Sequence, residues 1–239
     1  PELSWQLDAA NRLNLGIAAS YSEAPINLYL SRLPDENDPD FDFTSQTKYR
    51  IDTLLRAHSY SPYVKYRRQW SDRLTTSLGL RYSDISITGG FSAGEFSPRA
   101  SLEYQLNPAT LLTAAWGRYV QVPKPTEIIE QYGNPGLLVA RAEHRVLGLE
   151  YRFNPLYSIK TELYHKPMTD LVVPIDTQLP PDNFSNDGSG EAYGLDIFLK
   201  REPMNRTMGW LALSWSKAER TNEITGLTRD FSGDQPLTL

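Results

Sequence analysis

The stretch from Phe96 to Phe153, FSPRASLEYQLNPATLLTAAWGRYVQVPKPTEIIEQYGNPGLLVARAEHRVLGLEYRF, decides how the whole chain is read. At its start Pro98, Ala100, Leu102, Tyr104 and Leu106 fall on one parity, and Ser97, Arg99, Ser101, Glu103 and Gln105 on the other. That period of two predicts a strand, because a helix would mix the two sets around its circumference. Past Asn107-Pro108 the spacing predicts a second strand over Leu111 to Tyr119. Its orientation stays open, since Leu112, Ala114 and Trp116 share a parity with Arg118 while Leu111 and Ala115 lie opposite. A long polar excursion follows, with one helical turn expected from Thr126 (as N-cap) to Tyr132 and Glu127 in its first turn. Alternation then returns, with Leu147, Leu149, Tyr151 and Phe153 against His144, Val146, Gly148, Glu150 and Arg152. A short turn at one end and a long loop at the other, repeated, is how a transmembrane β-barrel reads.

The same signature extends outward from this stretch. Leu13, Leu15, Ile17, Ala19 and Tyr21 alternate with small or polar residues, and Tyr60, Val64 and Tyr66 mark the apolar side of a long strand over residues 48–70. Arg68 shares that apolar parity, and its place beside the turn lets it snorkel to the interface. Leu74, Thr76, Leu78, Leu80 and Tyr82 point outward, and parity flips at Ile85 and Ile87, which implies a bulge or a strand leaving the membrane. Asn154-Pro155 repeats the tight turn of Asn107-Pro108. Strands follow through Tyr157, Ile159, Thr161 and Leu163, through Tyr193, Leu195, Ile197 and Leu199, and through Leu211, Leu213 and Trp215. Leu237-Thr238-Leu239 reads as a further strand start. Short turns are expected at 71–73, 107–109, 154–155 and 202–205, and long loops at 22–47, 88–96, 120–141, 176–190 and 220–235. The count is about ten strands, and a propeller is disfavoured because no blade-like self-similarity accompanies the spacing.

Composition narrows the classes. No apolar run is long enough for a transmembrane helix, whereas a barrel strand needs only about 9–11 residues with alternate ones apolar. With no cysteine, disulfides, zinc clusters and thiol chemistry drop out together. A net charge of -5 argues against a nucleic-acid partner. The acidic run at 35–42 is not an EF-hand, because Asp40 and Gln46 stand where glycine and glutamate belong. His58, His144 and His165 are far apart, with no further ligand at metal spacing, and no nucleophile elbow is present. No enzyme, metal or cofactor is therefore expected. Pro1-Glu2-Leu3 lacks the charged start and apolar core of a signal peptide, so an internal segment is expected, one that does not fold alone.

The order of motifs adds a family. Ser97-Pro98-Arg99, Asn107-Pro108, Trp116-Gly117-Arg118, Pro123 and Pro125, Gly133-Asn134-Pro135 and Gly148-Leu149-Glu150-Tyr151 together resemble the barrel of TonB-dependent outer-membrane receptors. Tyr193-Gly194-Leu195-Asp196 and Phe231-Ser232-Gly233-Asp234-Gln235-Pro236 continue the resemblance. The chain departs from the family after Gly133-Asn134-Pro135, where Leu-x-Pro-Glu is usual and residues 136–143 read GLLVARAE.

The resemblance implies an all-β, antiparallel transmembrane barrel of about twenty-two strands, of which residues 1–239 are a partial domain. It further implies a plug in the lumen, contact with the TonB complex through that plug, lipid around the wall and a bacterial outer-membrane location. Uptake of a scarce small molecule, such as siderophore-iron or cobalamin, follows from it. Tyr119, Gln121, Lys124, Gln131 and Tyr132 are the loop residues expected to meet ligand. Trp70, Tyr104, Tyr151, Phe153 and Tyr157, beside short turns, are expected to form an interfacial aromatic girdle. Inward Arg81, Arg99, Glu103, Glu150, Arg152, Lys160, Glu162 and Asp196 are expected to form ion-pair ladders. A passive porin-like barrel and a soluble all-β binding module are the alternatives.

Overall fold

The computed structural model describes residues 1–31, 48–175, 183–204, 207–231 and 237–238. Among them one antiparallel sheet contains β1 (Glu2–Gln6), β2 (Asn11–Ser31), β3 (Lys48–Gln69), β4 (Leu74–Ile87), β5 (Phe91–Asn107) and β6 (Thr110–Gln121). It continues through β7 (Ala140–Asn154), β8 (Tyr157–Pro174), β9 (Phe184–Met204), β10 (Thr207–Asn222), β11 (Leu227–Asp230) and β12 (Leu237–Thr238). A single turn of helix, α1 (Pro125–Ile128), interrupts the β6–β7 connection. Each strand from β1 to β11 pairs with its sequence neighbours, β12 pairs with β10, and the path does not close among the described residues. This is a curved wall segment of an up-and-down barrel.

Register places the apolar parities on one face. Leu74, Thr76, Leu78, Leu80 and Tyr82 stand opposite Tyr104, Leu102, Ala100, Pro98 and Phe96. Ala100, Leu102 and Tyr104 in turn face Trp116, Ala114 and Leu112, which fixes the orientation of β6 that the sequence left open. Leu112 and Ala114 face Leu149 and Leu147. None of these side chains is buried, and many are exposed, Leu78 at 56% and Leu147 at 61%. In a soluble sandwich the same rows would be the core, so the binding-module alternative does not fit. Tight turns close one end, hereafter the turn end. Asn107 Oδ1 accepts from Ala109 N–H at 2.9 Å, and Asn154 Oδ1 from Leu156 N–H at 2.8 Å, so each asparagine folds the chain while proline sets φ. Arg68 lies 3.9 Å over the Trp70 ring, whose Nε1 donates to Thr76 Oγ1 at 2.9 Å, and the cation thus ends on an aromatic at the band's edge.

Several expectations need correction. Among the described residues twelve strands stand where about ten were expected, because β1 is only five residues long and β11 is short and polar. The expected loop at 22–47 is strand as far as Ser31, with its remainder outside the described residues. The loop at 88–96 shrinks to a turn at 88–90, where Gly89 and Gly90 take φ of 104° and 100°. β9 begins at Phe184 and β10 continues to Asn222, inside two other expected loops. The reason is shared: pairing needs only backbone groups, and beyond the lipid no alternation is required. At about 3.3 Å per residue and a tilt of about 40°, strands as long as β2 and β3 rise roughly 50 Å, twice an apolar band of about 25 Å.

The parity flip at Ile85 and Ile87 is not a bulge either, since β4 keeps one offset against both neighbours. Bulges lie elsewhere, as in β8, where Asp170 takes φ 57°. In α1 the N-cap is Lys124, not Thr126. Pro125 supplies a preset φ at the first helical position, and Glu127 Oε2 reaches back to accept Lys124 N–H at 2.7 Å.

Candidate functional site

The β6–β7 connection, residues 122–139, folds onto the polar, inner face of the wall near the end opposite the tight turns. Two buried clusters hold it there. In one, Ile129 and Tyr132 of the loop pack on Ile51 and Leu55 of β3. In the other, Ile128, Leu137 and Val139 pack on Phe91 of β5. Ile87 and Phe184 flank both clusters, which explains why apolar residues take the inner parity there. Gly133 turns so tightly that a Cβ would strike the backbone oxygens of Glu127 and Thr126. The Gly133-Asn134-Pro135 motif therefore has a local cause. Where the chain departs from Leu-x-Pro-Glu, Leu137 and Val139 still face inward, 4% and 2% exposed.

Polar anchors complete the docking. Asn134 Nδ2 donates to Phe184 O at 2.9 Å. Asn186 exchanges two bonds with the Leu138 backbone, at 2.7 and 3.1 Å, and donates to Asp170 O at 2.8 Å. Arg141 joins Glu95 of β5 to Asp170 of β8, the latter at 2.6 Å, with all three side chains largely shielded. Residues 122–139 are thus an inner lining of the mouth.

Toward the turn end from this lining lies a row of cations. Arg99 pairs in register with Gly117, and Gly117 with His144. Lys166 follows His165, the partner of Arg145, and so stands beside His144. The Arg99 guanidinium lies 4.5 Å over the Tyr119 ring, Tyr119 and His144 are 4.2 Å apart, and Lys166 Nζ sits 4.3 Å over Tyr164.

The expected ladders form only in part. Glu103 pairs with Arg67 at 3.1 Å and Lys160 with Glu162 at 2.9 Å, while Asp196 takes the Ser214 hydroxyl. Glu150 stands opposite Lys160, Arg81 meets Ser83 at 3.3 Å, and Arg99 meets an aromatic ring instead of a carboxylate.

Of the residues expected to meet ligand, Tyr119 sits in the cation row, and Gln121, Lys124 and Gln131 are exposed around the folded loop. Tyr132 is 4% exposed, its ring 6.1 Å from Phe184, so its side chain packs the lining. Trp70, Tyr104, Tyr151, Phe153 and Tyr157 lie beside the tight turns, with Tyr151 and Phe153 in edge contact at 4.9 Å. Sequence reasoning missed Lys166 and Tyr164, and the clustered Ile128, Ile129, Leu137 and Val139. It also gave His165 no partner, whereas Glu191 lies 3.3 Å away across β8 and β9. Among the described residues no group of histidines and carboxylates has metal-holding geometry.

A family model described as TonB dependent receptor-like, beta-barrel matches residues 2–238. A search of curated protein sequences found no match. Among solved structures the chain is similar to the FrpB iron transporter of Neisseria meningitidis, with a TM-score of 0.70 at 14% identity over 93% of this chain and 36% of that one. The siderophore receptor PirA of Pseudomonas aeruginosa gives 0.65 at 18% over 92% and 40%. The outer membrane transporter YddB of Escherichia coli gives 0.67 at 15% over 99% and 38%. At these identities the likeness is one of fold, and the chain spans between a third and two fifths of each relative. Wall topology, inner lining and the family match agree, and the chain belongs to the TonB-dependent receptor-like β-barrel family, whose members are receptors and transporters.

Proposed function

We propose that this chain is part of the wall of a bacterial outer-membrane receptor that imports a scarce small molecule by TonB-energised active transport. Residues 1–239 form one partial barrel domain, and the full wall has about twenty-two strands around a plug that contacts the TonB complex. The turn end faces the periplasm and the lined mouth faces outside. The observation that carries the reading is the inward-folded 122–139 segment, packed by Phe91, Ile128, Leu137 and Val139. A segment pinned inside the mouth by buried apolar contacts narrows and shapes the vestibule, as a selective importer needs. Siderophore-iron, cobalamin or a similar chelate is the cargo class, in keeping with the iron and siderophore relatives. Gln121, Lys124, Gln131 and Tyr119 offer polar and aromatic contacts to it. Trp70, Tyr104, Tyr151, Phe153 and Tyr157 hold the periplasmic interface.

The test is uptake of radiolabelled iron chelates and cobalamin by cells carrying the full-length gene, with and without TonB. Uptake of one cargo that disappears without TonB is expected. Uptake that persists would favour the passive barrel.

A further inference from the structure

Among the inner-wall cations, Arg99 and Lys166 stand at the same level of the sheet. Arg99 on β5, His144 on β7 and Lys166 on β8 occupy one row across the sheet, with only Gly117 of β6 between the first two. Three strand spacings make that row roughly 14 Å long. Among the described residues neither Arg99 nor Lys166 has a carboxylate partner; their contacts are the rings of Tyr119 and Tyr164. Of the acids nearer the turn end, Glu103 pairs with Arg67 and Glu162 with Lys160, and Asp196 accepts from the Ser214 hydroxyl. Glu103 and Glu162 thus have cations of their own, and neither is drawn to Arg99 or Lys166.

Two glycines shape the row. A Cβ at Gly117 would meet Arg99 Cγ and the Tyr119 ring at 3.2 Å, and one at Gly194 would strike Tyr164. Their absence lets both tyrosines lie along the wall and present ring surface beside the cations. A concave wall with cations of one sign focuses the field on an incoming anion, and the flat rings favour a planar one.

We propose that the Arg99–Tyr119–His144–Tyr164–Lys166 row binds a planar aromatic polyanion. As an assignment of cargo class it rests on the import reading; as a binding site it does not. Arg99 and Lys166 supply the charge, Tyr119 and Tyr164 the stacking surfaces.

The probe is 8-hydroxypyrene-1,3,6-trisulfonate, titrated by fluorescence anisotropy against the full-length protein in detergent. Saturable binding that weakens with added salt is expected. Arg99→Gln with Lys166→Gln should weaken it roughly tenfold or more, from the loss of two charge-assisted contacts. Arg99→Lys with Lys166→Arg should keep most of it. Each variant is first checked for the mobility shift of a folded barrel on unheated gels, and a misfolded double variant is replaced by Lys166→Gln alone. Unchanged affinity in the neutralised variant overturns the proposal. So does an absence of saturable binding to the native protein, which would mean that the row is covered by a segment filling the lumen. Uptake without TonB alongside charge-dependent dye binding would sink the import reading and leave the row standing. TonB-dependent uptake with unaltered dye affinity would sink the row alone.

Discussion

Replacing Phe91 by alanine tests whether the apolar clusters hold the 122–139 segment. Phe91 is 2% exposed and touches the loop through Ile128, Leu137 and Val139. Removing a buried phenylalanine side chain typically costs about 3–5 kcal/mol. The lower figure applies here, because one side of the cavity is a short loop that can settle into it. The barrel ladders do not depend on this contact, so the loss falls on docking and not on the fold. About 3 kcal/mol is a little over two powers of ten in the open population, at 1.36 kcal/mol for each.

The reporting amides are Tyr132, bonded to Ile129 O at 2.9 Å, Asn134, bonded to Glu127 O at 2.6 Å, and Leu138, bonded to Asn186 at 2.7 Å. Hydrogen exchange of the full-length protein in detergent should accelerate at these positions by on the order of a hundredfold, or to the unprotected rate if that comes first. Strands β4 to β7 should stay protected. Unchanged exchange in the loop would refute the docking argument, and a general loss of protection would show that Phe91 belongs to the fold itself.

Three further outcomes follow from the same geometry. Gly133→Ala places a methyl group against the Thr126 and Glu127 carbonyls, so the loop should open with the exchange signature of Phe91→Ala while the barrel keeps its gel shift. Arg141→Met leaves Glu95 and Asp170 without their shared cation, and should cost about 1–2 kcal/mol in urea unfolding after discounting for partial exposure. Adding Glu95→Gln and Asp170→Asn to that variant should recover part of the loss. An unchanged midpoint for Arg141→Met would show that the bridge contributes nothing.

The parts of the fold legible in the sequence are those that lipid constrains. Leu74 to Tyr82, Pro98 to Leu106 and Leu147 to Phe153 alternate because one side must be apolar and the other wet, and these strands stand where the pattern put them. Arg68 was legible as an interfacial cation because it broke the pattern beside a turn, and it meets Trp70 there. Above the band that constraint ends. The extension of β2 toward Ser31 and the residues flanking Gly89 read as loop, although their backbones pair as well as any. The mouth lining left a signal that was read as irregularity: Ile85 and Ile87 flip parity, and Ile128, Ile129, Leu137 and Val139 place apolar side chains in a polar excursion. Ile87 and the loop residues are two sides of one contact. The cation row could not be read at all, since Arg99, His144 and Lys166 become neighbours only through the register of four strands.

The two-faced wall itself is tested most directly by spin labels at single cysteines along β7, which is simplified by the chain having no cysteine of its own. In the full-length protein in lipid, labels at 147, 149, 151 and 153 should collide with oxygen, and those at 146, 148, 150 and 152 with a water-soluble nickel chelate, alternating residue by residue. A flat profile, or both parities open to the chelate, would contradict a barrel wall with lipid on one side and an aqueous lumen on the other.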